Sequence, residues 1–194
     1  MTIRTPKGLS SLVIPPGTMT QDNAQARGRE RIDAARKVGW PLGCTVIADT
    51  REQHPWKFPI VESGTLKTGD YSVAGLEDVA VIERKSLSDA WSSCGSGRGS
   101  KFATSRARFR REFERMADMK MACVIVEGSM GQLATQPERS MVDPATVIGT
   151  YRSWWVKYGV PCWFADNRAM AQRFAGLLLV DFWKMFRNNI KGDK

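Results

Sequence analysis

The sequence predicts an α/β domain with a mixed central β-sheet flanked by helices on both faces. Three observations predict it. Short apolar runs bounded by glycine, proline or charge recur as buried strands, stretches with helix-capping signals lie between the later ones, and the order reads β-β-β-α-β-α-β-α. At 194 residues and 42% hydrophobic content, the chain is long enough to bury such a core and too apolar to be disordered.

Residues 1–40 open with an arm rich in Pro, Gly, Ser and Thr and continue as a short basic helix, AQARGRERIDAARKVG, ended by Gly39 and Pro41. They read as an appendage to a single domain at 41–194. Residues 44–48 (CTVIA) form a buried strand with Asp49 at its end. After the HPWKFP loop, TLKTGDYSV and VAVIERKS make an antiparallel pair, turning between Gly75 and Asp78. Ser86 and Asp89 stand as a capping box opening a helix. The loop CGSGRGS leads into a basic helix over 105–119 with Phe102, Phe109, Phe113 and Met116 on one stripe and Arg106, Arg108, Arg110, Arg111 and Arg115 on the others. Residues 121–126 form a buried strand, and Asp143 caps a helix with Pro144 at its first position. That helix shows Val147, Tyr151, Trp154 and Tyr158 on one face, VPCWFAD follows as a strand, and the last helix, 169–188, is apolar almost all round. Such a helix is either central core or a homodimer surface. Trp154, Trp163 and Trp183 fall on buried faces, whereas Trp56, between two prolines, is the tryptophan that would face DNA.

Composition excludes much chemistry. A single histidine, His54, rules out sites built on two histidines, so a metal must be held by oxygen. Cys44, Cys94, Cys123 and Cys162 include no CxxC pair and read as reduced structural thiols. The longest uncharged apolar run, 174–180, is too short to span a membrane, and no signal-peptide core precedes the domain, so a cytoplasmic location is expected. GSGRGS lacks the spacing of a phosphate-binding glycine loop, which argues against a nucleotide cofactor. Against a formal charge of +9, residues 41–90 alone carry eight acidic groups and a net charge of −3. A basic protein with one acidic stretch suggests a polyanion binder with a cation site inside it.

That stretch holds Asp49-Thr50-Arg51-Glu52, Gly69-Asp70-Tyr71 and Glu83-Arg84-Lys85, with Asp89 four residues on. Strand alternation points Glu83 and Lys85 to one face and Arg84 to the other, and a neighbouring strand can bring Asp70 beside Glu83. Two carboxylates so placed suit Mg2+ or Mn2+, and Lys85 alongside would orient or deprotonate an attacking water. The spacing alone is permissive. It gains weight because VAVI runs straight into ERK, which places charge on a strand that reads as buried on both faces.

These residues resemble the XPF-type (xeroderma pigmentosum group F) structure-specific endonucleases of the restriction-endonuclease-like PD-(D/E)XK superfamily. The family hallmark is GD followed by ERKxxxD, preceded by a strand ending in DxRE, and all three pieces are present in order. The likeness runs over 44–186 and is nearest to compact phage and prophage members. It implies a restriction-endonuclease-like core, Mg2+ or Mn2+ as cofactor, Asp70 and Glu83 as metal ligands, Lys85 as the catalytic lysine and Asp49 as a further acid at or behind the metal. Arg84, Arg51, Glu52 and Asp89 take motif positions as a supporting charge network or phosphate contacts. Asp89 is equally explained as the cap partner of Ser86, and Arg51 with Glu52 as a buried structural ion pair. Arg98 and Lys101 in the glycine-rich loop, with Arg106 and Arg110 on the basic helix, are the expected phosphate contacts. His54 is left outside the site.

The resemblance further implies cleavage of one strand near a branch, flap or junction in DNA, leaving a 3′-hydroxyl and a 5′-phosphate, in recombination, repair or replication. Eukaryotic and archaeal members usually carry a helix-hairpin-helix region after the nuclease, and without GxG hairpin repeats in the sequence none is expected here. Two alternatives stay open: an inactive branched-DNA-binding module of the same fold that needs a partner subunit, and a sequence-specific restriction-type enzyme.

Overall fold

The computed structural model describes residues 21–95, 101–138 and 140–190, and in it the predicted architecture is present. A helix, α1 (Gln21–Lys37), precedes strands β1 (Val46–Asp49), β2 (Val61–Gly64), β3 (Tyr71–Val73) and β4 (Ala80–Ser86). Helices α2 (Leu87–Ser92) and α3 (Lys101–Met116) lead to β5 (Met121–Glu127), then α4 (Met130–Leu133) and α5 (Pro144–Tyr158), β6 (Cys162–Phe164) and α6 (Arg168–Ile190). The six strands lie in the order β2-β1-β3-β4-β5-β6. β1 with β3 and β3 with β4 are antiparallel, while β1–β2, β4–β5 and β5–β6 are parallel, so the sheet is mixed.

Each face buries its own core. On one, Ile82, Ile125 and Tyr71 pack against Ala171, Ala175, Leu179 and Phe182 of α6. On the other, Val81, Val124 and Val126 pack against α2, α3 and α5 through Trp91, Phe109, Phe113, Tyr151 and Trp154. Alternation along β4 and β5 produces this division, since successive residues serve opposite layers. Both helix caps form, although at Ser86 the Asp89 carboxylate accepts from the Ser86 hydroxyl and does not close a full capping box. Asp89 N donates to Ser86 Oγ at the start of α2, and Ala145 N donates to Asp143 at the start of α5 with Pro144 in its first turn. All four cysteines are free and buried, with their thiols pushed up by burial.

Several expectations are corrected. β2 is a strand additional to those expected, since VESG is polar, half exposed and lies on the sheet edge, where no apolar alternation is required. Residues 65–70 are not strand: Gly69 sits at φ 74 and interrupts the extended backbone, so β3 begins at Tyr71. Helix α4 is too short for a periodic signal, although Ser129 and Gln132 form its capping box. The basic helix starts four residues earlier than its pattern suggested. Helix α6 is neither central nor apolar all round: one face is core, while Leu177 and Met185 are exposed beside Arg173, Asp181 and Lys184. Trp163 is 45% exposed because it is the outward residue of edge strand β6. Trp56 is 1% exposed and does not face outward; its ring stacks on Tyr71 at 4.8 Å and its backbone N donates to Tyr71 Oη. No helix among the described residues is long and apolar enough to cross a membrane.

Candidate active site

The acidic motifs converge at one end of the sheet because β1, β3 and β4 are neighbours there. Gly69 makes that approach possible. A Cβ at this position would stand 2.9 Å from Val81 Cβ and 3.2 Å from the Ile82 carbonyl, and the backbone is in the left-handed region, so only glycine lets the chain run this close to β4. Asp70 N donates to Ile82 O and Arg84 N donates to Asp70 Oδ2 at 2.7 Å, which pins the Asp70 carboxylate beside β4.

Alternation along β4 then separates two charge systems. Glu83 and Lys85 point toward α3, are buried, and pair with one another, while Lys85 Nζ also lies 3.4 Å from Glu112 Oε2 on α3 and 4.6 Å from the centre of the Phe109 ring. Arg84 points the other way, into a buried cluster. Its Nε and Nη2 donate to Glu127 at 2.8 Å and its Nη1 to Glu52 at 3.2 Å. Glu127 also accepts from Trp56 Nε1 and from Arg168 Nη1, so one carboxylate at the end of β5 ties together the proline-tryptophan loop, β4 and α6.

Electrostatics distinguish three acids that look alike in sequence. Burial pushes the Asp70 carboxyl up to about 6, Glu52 and Glu112 adding to the push against the Arg84 N–H and the Lys85 charge. Burial likewise raises Glu83 well above the usual carboxylate range, with Lys85 opposing and Asp70 and Glu112 reinforcing. For Lys85 burial disfavours the ammonium, but Glu83 and Glu112 outweigh it and hold the side chain protonated. Asp49 is the opposite case: burial raises it, but hydrogen bonds from Arg51 and from the backbone of Leu66 and Arg51 win and leave it below its ordinary value.

That difference has a geometric basis. Asp49 Oδ1 accepts from Arg51 N and Nε and Oδ2 from Arg51 Nη2 and Leu66 N, which occupies the four lone-pair positions of the carboxylate. Asp70 and Glu83 fit a hard divalent cation. Both are oxygen donors, and both are acids whose charge is under-compensated where they stand. Among the described residues no cluster of three or more His, Cys, Asp or Glu side chains stands at metal-binding spacing, so a cation on this pair would complete its shell with water and substrate oxygens.

The remaining expected residues separate by position. Arg51 and Glu52 do not pair with each other: Arg51 clamps Asp49 and donates to Leu66 O, and Glu52 serves Arg84. Asp89 Oδ2 accepts from Ser86 Oγ at 2.6 Å while Asp89 still lines the cleft. Arg106 is turned inward, where it donates to Cys94 O and Thr150 Oγ1 and covers the Trp154 ring. Arg110 lies on that same side, in the groove between α3 and α5. The strip of α3 that faces the cleft is instead Ser105, Arg108, Glu112 and Arg115. Arg98 and the Lys101 side chain lie outside the described residues. The cleft is an open cavity of about 460 Å3. Motif reading missed Glu112, which lines the cleft and is hidden among alternating charges on a helix, and Glu127, which lies one residue beyond an apolar run and anchors the Arg84 cluster on the other side of β4.

Comparison with known proteins bears on the family and the fold. A family model described as the ERCC4 domain matches residues 49–178. Two solved structures of XPF from Aeropyrum pernix, one of them a complex with DNA, superpose with TM-scores of 0.50 and 0.52 at 20% sequence identity. Each alignment covers 73% of this chain and 60% or 66% of the XPF chain, so this chain spans less than two thirds of those relatives. At that identity the likeness shows the fold. No curated protein matches the sequence.

Proposed function

The chain belongs to the ERCC4-domain family of XPF-type nucleases, and from that membership we propose that it is a divalent-metal-dependent endodeoxyribonuclease that cuts one strand near a branch, flap or junction. One observation carries the reading. Asp70, Glu83 and Lys85 meet in a cleft whose α3 wall presents two exposed arginines, Arg108 and Arg115.

In this reading Asp70 and Glu83 hold Mg2+ or Mn2+. Bound there, the cation supplies Lewis-acid stabilisation of charge on the phosphate and on the departing oxygen. Lys85, kept protonated by its carboxylate neighbours, acts through its charge: it orients the attacking water and faces the scissile phosphate. Arg108 and Arg115 hold backbone phosphates and carry no base information, which suits selection by DNA shape. Arg84 fixes Asp70 through its backbone N–H while its guanidinium anchors the strand below. A 3′-hydroxyl and a 5′-phosphate are the expected ends.

The test is cleavage of end-labelled flap, fork, four-way-junction and plain duplex DNA with Mg2+, Mn2+ or EDTA, comparing wild type with D70N and K85A. Expected are metal-dependent cutting of branched substrates, no cutting in EDTA, and a loss of about 10²–10⁴ in rate for each variant. Stable binding of branched DNA without cutting under either metal would favour the inactive-module reading instead.

A further inference from the structure

The family motif does not include Glu112, and the chemistry proposed above uses its carboxylate only as one of the charges around Lys85. It projects from α3 with Oε2 3.4 Å from Lys85 Nζ and Oε1 3.8 Å from Arg108 Nε, and its side chain is 15% exposed. Lys85 sits between this group and Glu83, with its ammonium over the Phe109 ring. Lys85 Nζ donates to Glu83 Oε1. A divalent cation arriving at Glu83 competes for that carboxylate, and a buried ammonium that loses its partner without gaining another is strongly disfavoured.

We infer that Glu112 is a positioning residue that takes Lys85 over from Glu83 when a divalent cation enters, and that Arg108, on its other oxygen, links this transfer to bound DNA. The inference rests on the metal-dependent reading of the cleft. Its logic is competition. Glu112 is shared between Lys85 and Arg108; a DNA phosphate that draws Arg108 away leaves Glu112 to Lys85, and Glu83 to the cation. Linkage then requires that DNA tighten metal binding and metal tighten DNA binding by the same factor.

The experiment measures Mn2+ uptake by the full chain from the loss of the free-ion EPR signal. E112Q should bind Mn2+ about tenfold more weakly than wild type, because the ammonium then has only a neutral amide oxygen in place of a second carboxylate. K85A should bind at least as tightly as wild type. The double variant K85A/E112Q should return to the K85A level, since no ammonium remains to be accepted. E112D should recover part of the loss. A phosphorothioate duplex should tighten Mn2+ binding by wild type and fail to do so for E112Q and R108A. Thermal melting of E112Q close to wild type separates the effect from a loss of fold. Wild-type affinity in E112Q, or a double variant as weak as E112Q alone, would overturn the inference, and equal tightening by DNA in all three proteins would overturn its link to Arg108. Failure of wild type to take up Mn2+ would instead overturn the metal-dependent reading itself.

Discussion

Asp49, Asp70 and Glu83 show how residue-scale surroundings set apart three acids on or next to neighbouring strands. Asp49 is saturated by hydrogen bonds and held below its ordinary value, whereas Asp70 and Glu83 are raised by burial. For Asp49 the sign follows directly. A carboxylate depressed in the folded state contributes stability above its unfolded value of about 3.9, and that contribution is lost as pH falls through the folded value. D49N should therefore cost about 2–4 kcal/mol at neutral pH, and the gap to wild type should close as pH falls below about 4. Urea denaturation across pH 3–7 measures it, and a pH-independent gap would count against the assignment. Arg106 is a second residue whose partners decide its role. R106A should lower stability by about 1–3 kcal/mol, because it strips Thr150 and Cys94 of a buried donor.

At the scale of elements, the two strips of α3 divide the labour. The amphipathic pattern marked one apolar stripe and treated every arginine as wet, but the cleft receives Arg108 and Arg115 while Arg106 and Arg110 line the groove toward α5. R108A and R115A should each weaken DNA binding and reduce the slope of log affinity against log salt by about one, while R110A should leave the slope unchanged. Fluorescence anisotropy over a salt series distinguishes the strips, and a slope lost only in R110A would restore the assignment made from sequence. The turn before β3 is the other decisive element. G69A combines a disfavoured φ with a Cβ pressed on Val81, so it should cost about 1–3 kcal/mol and lower the cleavage rate by shifting Asp70 from β4.

Across the whole molecule, the sheet carries one core on each face and the site at one end, and the Arg84 cluster holds these layers together. Glu127 joins β5 to β4, to the proline-tryptophan loop and to α6, and Glu52 joins Arg84 to the segment after β1. E127A leaves Arg84 buried with half its partners and should cost about 3–5 kcal/mol by urea denaturation. A conservative core change such as V124A should be milder, at about 1–3 kcal/mol, since it removes apolar contact without stranding a charge. Equal losses from both would mean that the cluster is solvated and does not act as a tie.

The sequence by itself determined whatever depends on local backbone physics. Alternation sends Glu83 and Lys85 to one face and Arg84 to the other, the Ser86 and Asp143 caps start α2 and α5, and the order of segments implies a mixed sheet between two helical layers. The three motifs were legible because each lies within a few residues. Tertiary structure alone decided which charges are saturated by internal hydrogen bonds and which are not. Asp49 is consumed by Arg51 and Leu66, Trp56 is drawn into the core by Tyr71 and Glu127, and Glu112 reaches Lys85, and Glu127 reaches Arg84, only because α3 and β5 pack against β4. The reason is physical: an ion pair forms wherever register and burial bring two groups within a few ångströms, and partners 43 residues apart, such as Arg84 and Glu127, leave no local pattern to read.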